Sequence, residues 1–345
     1  MSDRSPIPVN LLTGFLGSGK TTLLQRMLSD PSMAGAAVLI NEFGEVGLDH
    51  ELLDRIDDTV MLMKSGCLCC TVRGEVADSL SDLFSRRARG EIPAFDRVVI
   101  ESTGLADPFP VLSTIRAHPV LRSHFTVGQV ITTVDVVNAG AQIKARDEAV
   151  RQIGAADVIA LTKTDLCAPA ETSALRTRLE RLNPAARVLI ARDTAPGEML
   201  SEDPARWTQT APEPTPAEPD KLAHDGKHGH HHHHHDTGLG VVSFSLVIQE
   251  RIDWTAFGIW LTILLNRHGD RIFRVKGILD VAGEDRPVAV HGVQHLVHPP
   301  VHLSHWPTNE RHSRLVFILE GLDPEVIQRS FHVFNRLSNP ARIEA

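Results

Sequence analysis

Short unbroken apolar runs and stripes of apolar residues at helical spacing take turns along residues 1–200. Residues 7–13 make the first run and predict a buried parallel strand, and Leu23, Leu24, Met27 and Leu28 follow it at helical spacing. Further buried strands are predicted at 36–40, 60–64, 96–100, 127–135 and 157–161, with 187–190 closing the sheet. Helices are predicted between them, at 71–89 (Val72, Val76, Leu80, Leu83, Phe84), 137–153 and 170–182. Strands alternating with helices predict an α/β domain built on a mostly parallel, doubly wound sheet.

From 201 to 237 the periodicity stops. Pro212, Pro214, Pro216 and Pro219 mark an extended linker, followed by His224, His228 and the six histidines 230–235. Order returns with an alternating strand at 241–248 and a helix whose Trp254, Phe257, Trp260 and Leu261 are predicted to be core. Strands at 272–281, 288–296 and 314–319 and a helix at 324–334 complete the chain. That order is βαββαβ-like with its last strand displaced or missing, and it predicts a small α+β domain with helices on one face. The predicted organisation is a domain at 1–200, a Pro- and His-rich linker at 201–238 and a second domain at 239–345.

Composition narrows the partners. A net charge of −8 speaks against duplex DNA or an anionic membrane surface, because no basic cluster is dense enough to neutralise phosphates. No apolar run reaches the length of a membrane span, and residues 1–6 are short and polar without signal-peptide character, so the chain is expected to be cytoplasmic. Three of the four cysteines fall at Cys67, Cys69 and Cys70, a crowding that suits a metal better than a disulfide framework.

Between the first strand and the first helix lies Gly14-Phe15-Leu16-Gly17-Ser18-Gly19-Lys20-Thr21-Thr22. Strand, glycine loop, helix is the setting of a GxxxxGK(S/T) phosphate loop. Its backbone N–H groups can curl around a polyphosphate, with Lys20 reaching the β- and γ-phosphates and the Thr21 hydroxyl ligating Mg²⁺. Glu101, at the end of the 96–100 strand, is placed to support Mg²⁺, and the Gly104 amide to sense a γ-phosphate. Thr162-Lys163-Thr164-Asp165 resembles the guanine-reading NKxD motif with threonine in place of asparagine. A carboxylate at Asp165 accepts both N1–H and the exocyclic amine of guanine, a pair that adenine lacks, so GTP is expected over ATP. No glutamine stands where it would orient an attacking water, which predicts slow hydrolysis that depends on activation.

Cys67-Leu68-Cys69-Cys70 offers soft thiolates suited to Zn²⁺, Cu⁺ or Co²⁺, at a spacing too tight for a zinc finger. A shallow or rearranging site completed by Glu45 or Glu42 is one reading; a redox pair or buried cysteines is the other. The histidine run reads as a metal-collecting tract of low selectivity, with an expression tag or a solvated linker as the alternatives. His291, His295, His298, His302, His305 and His312 read as scattered surface or core residues rather than a second metal site, and Cys167 as packing.

Together GFLGSGKTT, NEFGEVGLD, GCLCC, ESTGLADP, TKTD, the histidine-rich linker and a second domain containing HSRLVFI resemble the CobW family of metal-trafficking GTPases over nearly the whole chain. The resemblance implies a P-loop GTPase domain at 1–200, of the class that includes the hydrogenase and urease nickel chaperones. It implies phosphate and Mg²⁺ binding by residues 14–22 with Glu101, catalysis through Lys20, Thr21, Glu101 and Gly104, and guanine reading by Lys163 and Asp165. It also implies a Zn²⁺ (or Co²⁺) site at Cys67, Cys69 and Cys70, with Glu45 as a further ligand, and a client metalloprotein met through the C-terminal domain. A homo-oligomer is compatible with this pattern. An ATP-dependent metal-insertion enzyme and a nucleotide-binding metal store or sensor stay open as rival readings.

Overall fold

The computed structural model describes residues 6–40, 61–64, 72–201, 235–236, 240–307 and 311–337. The 41–49 loop with Glu42 and Glu45, Cys67, Cys69 and Cys70, and histidines 224–234 lie outside the described residues. The chain divides into two compact units, Met1–Glu180 with Ala186–Asp203, and Arg181–Ala185 with Pro204–Ala345.

The first unit holds a seven-stranded sheet: β1 (Ile7–Gly14), β2 (Ala36–Ile40), β3 (Met61–Lys64), β4 (Arg97–Glu101), β5 (Phe125–Asp135), β6 (Val158–Thr162) and β7 (Arg187–Ile190). Their order is β3-β2-β4-β1-β5-β6-β7, and every pairing is parallel, as the buried apolar runs predict. Strand order reverses between β1 and its neighbours, which makes the carboxyl end of β1 a topological switch point where such sheets hold ligands.

The helices are α1 (Lys20–Leu28), α2 (Val72–Ala88), α3 (Pro108–Ala117), α4 (Leu121–His124), α5 (Ala139–Ala145), α6 (Asp147–Ala155), α7 (Pro169–Leu182) and α8 (Pro196–Leu200). Leu23, Leu24 and Met27 of α1 are fully buried against Leu12, Val38, Val99 and Ile131 of the sheet. Each such side chain contributes about 1.5–3 kcal/mol through burial, enough to hold the helix that carries the phosphate loop. The helix predicted at 137–153 is two helices, broken where Arg146 turns extended (φ −139°). Asp147 and Glu148 then sit in the first turn of α6, where acidic side chains suit the helix dipole. Helix α3 follows an Asp-Pro signal that periodicity alone overlooks: Asp107 accepts from the Phe109 amide and Pro108 occupies the first turn.

One irregularity sets the register of the central pair. Val9 lies beside Val127 but Leu11 lies beside Val130, so β5 carries one extra residue there. The buried Asn10 side chain holds the irregularity, accepting from the Gln129 amide at 2.9 Å and donating to the Val98 carbonyl at 3.3 Å. Beyond it Thr13 pairs with Thr132 and Gly14 with Thr133.

The second unit is an antiparallel sheet in the order β12-β11-β10-β14-β9-β8, with β13 on β11. Its strands are β8 (His235–Asp236), β9 (Val241–Ile248), β10 (Ile272–Leu279), β11 (Val288–Val293), β12 (Leu296–Val297), β13 (Val301–His302) and β14 (Ser313–Glu320). Helices α9 (Trp254–His268) and α10 (Pro324–Leu337) supply the other layer. The last long strand, β14, precedes the second helix and lies between β10 and β9. Phe244, Leu246 and Ile248 of β9 face the core while Ser245 and Val247 are exposed, the alternation of a strand with one buried face.

Trp260 is the hub of that core, with its ring 5.0 Å from Phe331 and 6.3 Å from Phe317 in edge-on contacts. Its indole N–H donates to Ser330 Oγ at 3.0 Å, so burial strands no polar atom. Trp254, predicted to be core, is instead 41% exposed at the start of α9. Trp260→Ala is expected to lower the stability of this unit by about 3–5 kcal/mol, read as a shifted urea midpoint by circular dichroism; a loss below about 1 kcal/mol would remove Trp260 from its central place.

Candidate nucleotide site

The phosphate loop is tied to the sheet by buried hydroxyls. Ser18 Oγ and Thr133 Oγ1 are 2.6 Å apart, and Thr133 Oγ1 donates to the Thr13 carbonyl at 3.2 Å. A Cβ on Gly14 would lie 2.2 Å from Thr133 Oγ1 and 2.5 Å from its carbonyl oxygen, so only glycine fits there. Gly19 takes a left-handed conformation (φ 88°) at the start of α1, which has no side-chain cap. The first N–H groups of α1 are therefore left to serve an anion.

Lys20 Nζ donates to the carbonyls of Gly14 at 2.9 Å and Phe15 at 3.2 Å, resting across the loop that it is predicted to serve. Burial pushes its pKa below the ordinary lysine value, and the Glu101 carboxylate opposes that shift. Thr21 Oγ1 donates to Glu101 Oε1 at 2.9 Å, bringing together the two side chains expected at Mg²⁺. An alcohol oxygen beside a carboxylate only 5% exposed is a hard-oxygen donor pair that fits this cation, the remaining positions falling to phosphate and water.

Gly104 lies in a turn closed by the Ala106 amide donating to the Thr103 carbonyl at 3.1 Å. The turn presses on the phosphate loop, since a Cβ on Gly104 would lie 2.7 Å from the Leu16 amide nitrogen. Behind it, Gln152 Nε2 donates to the carbonyls of Gly104 at 3.1 Å and Ala106 at 3.0 Å.

At the base-reading motif, Thr162 Oγ1 donates to the Ser18 carbonyl at 2.7 Å, which joins this motif to the phosphate loop despite the change from asparagine. Lys163 is left-handed (φ 57°), and its ammonium lies 2.7 Å from Asp135 Oδ2. Burial alone would raise the Asp135 pKa; bonds from Lys163, Asn138 and the Val137 amide outweigh it and hold the carboxylate below its usual range. Asp165 is exposed, with Arg192 Nη1 at 4.0 Å. Arg26 of α1 donates to the carbonyls of Ala191 and Thr194, pinning the loop after β7.

Sequence reasoning did not single out Asp135, Gln152, Thr133 or Arg26. Their roles depend on partners as far as 168 residues away in the chain, as for Arg26 and Thr194, and no local spacing carries that information. The C-terminal histidines are dispersed among separate partners. The rings of His291 and His298 stack with centroids 3.7 Å apart, His295 meets Asp270 and the Leu265 carbonyl, and His302 lies 3.7 Å from Glu284. Among the described residues no group of three or more His, Cys, Asp or Glu gathers as a metal site.

A polyphosphate beside Lys20 favours its charged form, so nucleotide binding is expected to take up a proton at alkaline pH below 10.5. Affinity should accordingly fall as pH rises through the lowered value. Calorimetry of GDP binding in buffers of different ionisation enthalpy reads the uptake, and enthalpies independent of buffer would refute it.

Comparison with known proteins places this geometry in a lineage. Residues 8–190 match the family described as "CobW/HypB/UreG, nucleotide-binding domain", and residues 241–335 match "Cobalamin synthesis protein cobW C-terminal domain". The chain is 34% identical to the zinc chaperone YjiA of Escherichia coli over 95% of its own length and 98% of that protein's. It is 30% identical to the zinc chaperone CobW of Pseudomonas aeruginosa over 95% of its length and 91% of that protein's. The solved structure of Zn(II)-bound YjiA GTPase from E. coli superposes with a TM-score of 0.68 at 31% identity, covering 96% of this chain and 99% of that one. By matches spanning both of its units, the chain belongs to the CobW/HypB/UreG family of P-loop GTPases and carries the CobW C-terminal domain.

Proposed function

We propose that the protein is a cytoplasmic GTP-hydrolysing metallochaperone that holds Zn²⁺, or Co²⁺, at Cys67, Cys69 and Cys70 and releases it to a client metalloprotein under nucleotide control. Residues 1–200 form the GTPase domain, 201–238 the linker and 239–345 the domain that meets the client. Gly14, Phe15, Leu16, Gly17, Ser18, Gly19, Lys20, Thr21 and Thr22 bind the phosphates, with Thr21 and Glu101 toward Mg²⁺. Lys163 and Asp165 read guanine, and Glu45 is a further metal ligand.

One observation carries this reading: the Thr21–Glu101 pair and the Gly104 turn converge on the phosphate loop at one edge of the sheet. Strand β3 runs parallel to β1 three places away, roughly 14 Å at ordinary strand spacing. It ends at Lys64, at the carboxyl edge that also holds the nucleotide site and three residues in sequence before Cys67. In the chemistry proposed, Lys20 neutralises charge developing on the β- and γ-phosphates, and the Gly104 amide donates to the γ-phosphate. Mg²⁺ supplies charge stabilisation at the phosphate oxygens. If GTP and metal favour one conformation, each tightens the other by the same factor, and hydrolysis loosens the metal for transfer. The names of the two zinc chaperones, each aligned over at least nine-tenths of its length, support zinc as the cargo.

Turnover of GTP against ATP, with and without stoichiometric zinc, tests the two sites together. Zinc-stimulated GTP turnover that disappears when Cys67, Cys69 and Cys70 are replaced by alanine is expected; stimulation that persists would remove the cysteines from the cycle. Asp165→Asn should shift preference from guanine toward xanthine nucleotides by about tenfold or more, since an amide donor then meets the base. Unchanged preference would assign guanine reading elsewhere.

A further inference from the structure

Gln152 is 1% exposed, one residue beyond Arg151 on α6, and belongs to none of the sequence motifs. Its side-chain N–H groups serve two carbonyls of one turn, Gly104 and Ala106. Only an NH₂ group can do this: with the amide reversed, its oxygen would face two carbonyl oxygens at about the same distances and repel both. The backbone at Gln152 is also fixed, because Thr132 Oγ1 of β5 donates to its carbonyl at 2.8 Å. At the exit of the turn, Arg151 of the same helix lies 3.7 Å from Asp107, the residue that caps α3. The turn is thus held on two sides, by α6 from behind and by the backbone of Leu16 in front.

We propose that Gln152 is a positioning residue for the γ-phosphate response. Its amide fixes the carbonyls of Gly104 and Ala106, and the Ala106 N–H in turn holds the Thr103 carbonyl, whose peptide carries the Gly104 N–H, so that α6 and the phosphate sensor move as one body. This rests on the reading of Gly104 as the amide that meets the γ-phosphate. Loss of the amide leaves a buried carbonyl at Gly104 and a part-buried one at Ala106 without their donor, and the turn reorients to find water or another partner. Binding of the β-phosphate uses the glycine loop and Lys20, whereas the polar groups of Gln152 bond to the turn and to β5, so GDP is held as before. The consequence reaches the base as well, since α6 ends at Ala155 and β6, which leads into Lys163 and Asp165, starts at Val158. A γ-phosphate that orders the turn is thereby coupled to the element that precedes the guanine motif.

Gln152→Met keeps the size of the side chain and removes both donors. In the full chain, the ratio of affinities for a non-hydrolysable GTP analogue and for GDP is expected to fall about tenfold, with GDP affinity held within about twofold and kcat reduced more than KM is raised. Gln152→Glu, which sets a carboxylate oxygen against the two carbonyls, should lower the ratio at least as far at neutral pH and recover part of it as acid protonates the new side chain. If the methionine variant does not fold, the glutamate variant decides alone. Equal losses for analogue and GDP would make Gln152 a structural residue only, and no change in either would leave the turn independent of it; both results overturn the proposal. Hydrogen exchange of the wild type separates this from the underlying reading. If the analogue protects the Gly104 amide no better than GDP does, the γ-phosphate role of Gly104 fails irrespective of the variants.

Discussion

The contact between Ser18 Oγ and Thr133 Oγ1 is where the phosphate loop meets the sheet. A loop that offers its N–H groups to an anion turns its carbonyls away, and it holds that shape without ligand only if something beneath it is fixed. Here the fixed partner is the Thr133 hydroxyl, itself bonded to the Thr13 carbonyl where the ends of β1 and β5 adjoin. Gly14 lets the two strands and Ser18 approach to a distance that no β-carbon would permit. The nucleotide site is in this sense a property of strand packing as much as of the glycine loop.

Around that anchor, the charged groups are arranged as paired opposites. Lys20 is drawn onto loop carbonyls and toward Glu101, and Glu101 accepts from Thr21. Lys163 is held by Asp135, which is itself held by an amide and by Asn138. Each buried charge therefore has a partner before any ligand arrives, which limits the desolvation cost of keeping it inside. A triphosphate with its cation exchanges these internal partners for stronger ones instead of filling bare sites.

Much of the architecture was legible because buried parallel strands read as unbroken apolar runs, and 36–40 or 157–161 admit little else. The phosphate loop and the base-reading motif were legible for a different reason: their chemistry is carried by adjacent residues. Helix α3 escaped because Pro108 and Pro110 mask its periodicity, and the break at Arg146 escaped because apolar spacing continues through it. What the sequence hides is long-range satisfaction of polar groups. Asn10, Thr133, Asp135 and Gln152 look ordinary in the chain, and only the partners that folding brings to them reveal what they do.

The extra residue in β5 acts as an index mark for everything downstream of it. Were the two strands paired regularly with every residue kept, Gly14 would fall beside Thr132 instead of Thr133, and successive side chains on a strand point to opposite faces. The hydroxyl now under Ser18 would be carried round to the far side, while the one that steadies α6 would be spent on the loop. Two neighbouring threonines with the same chemistry thus serve opposite layers of the domain, and a single amide side chain, that of Asn10, keeps count for both.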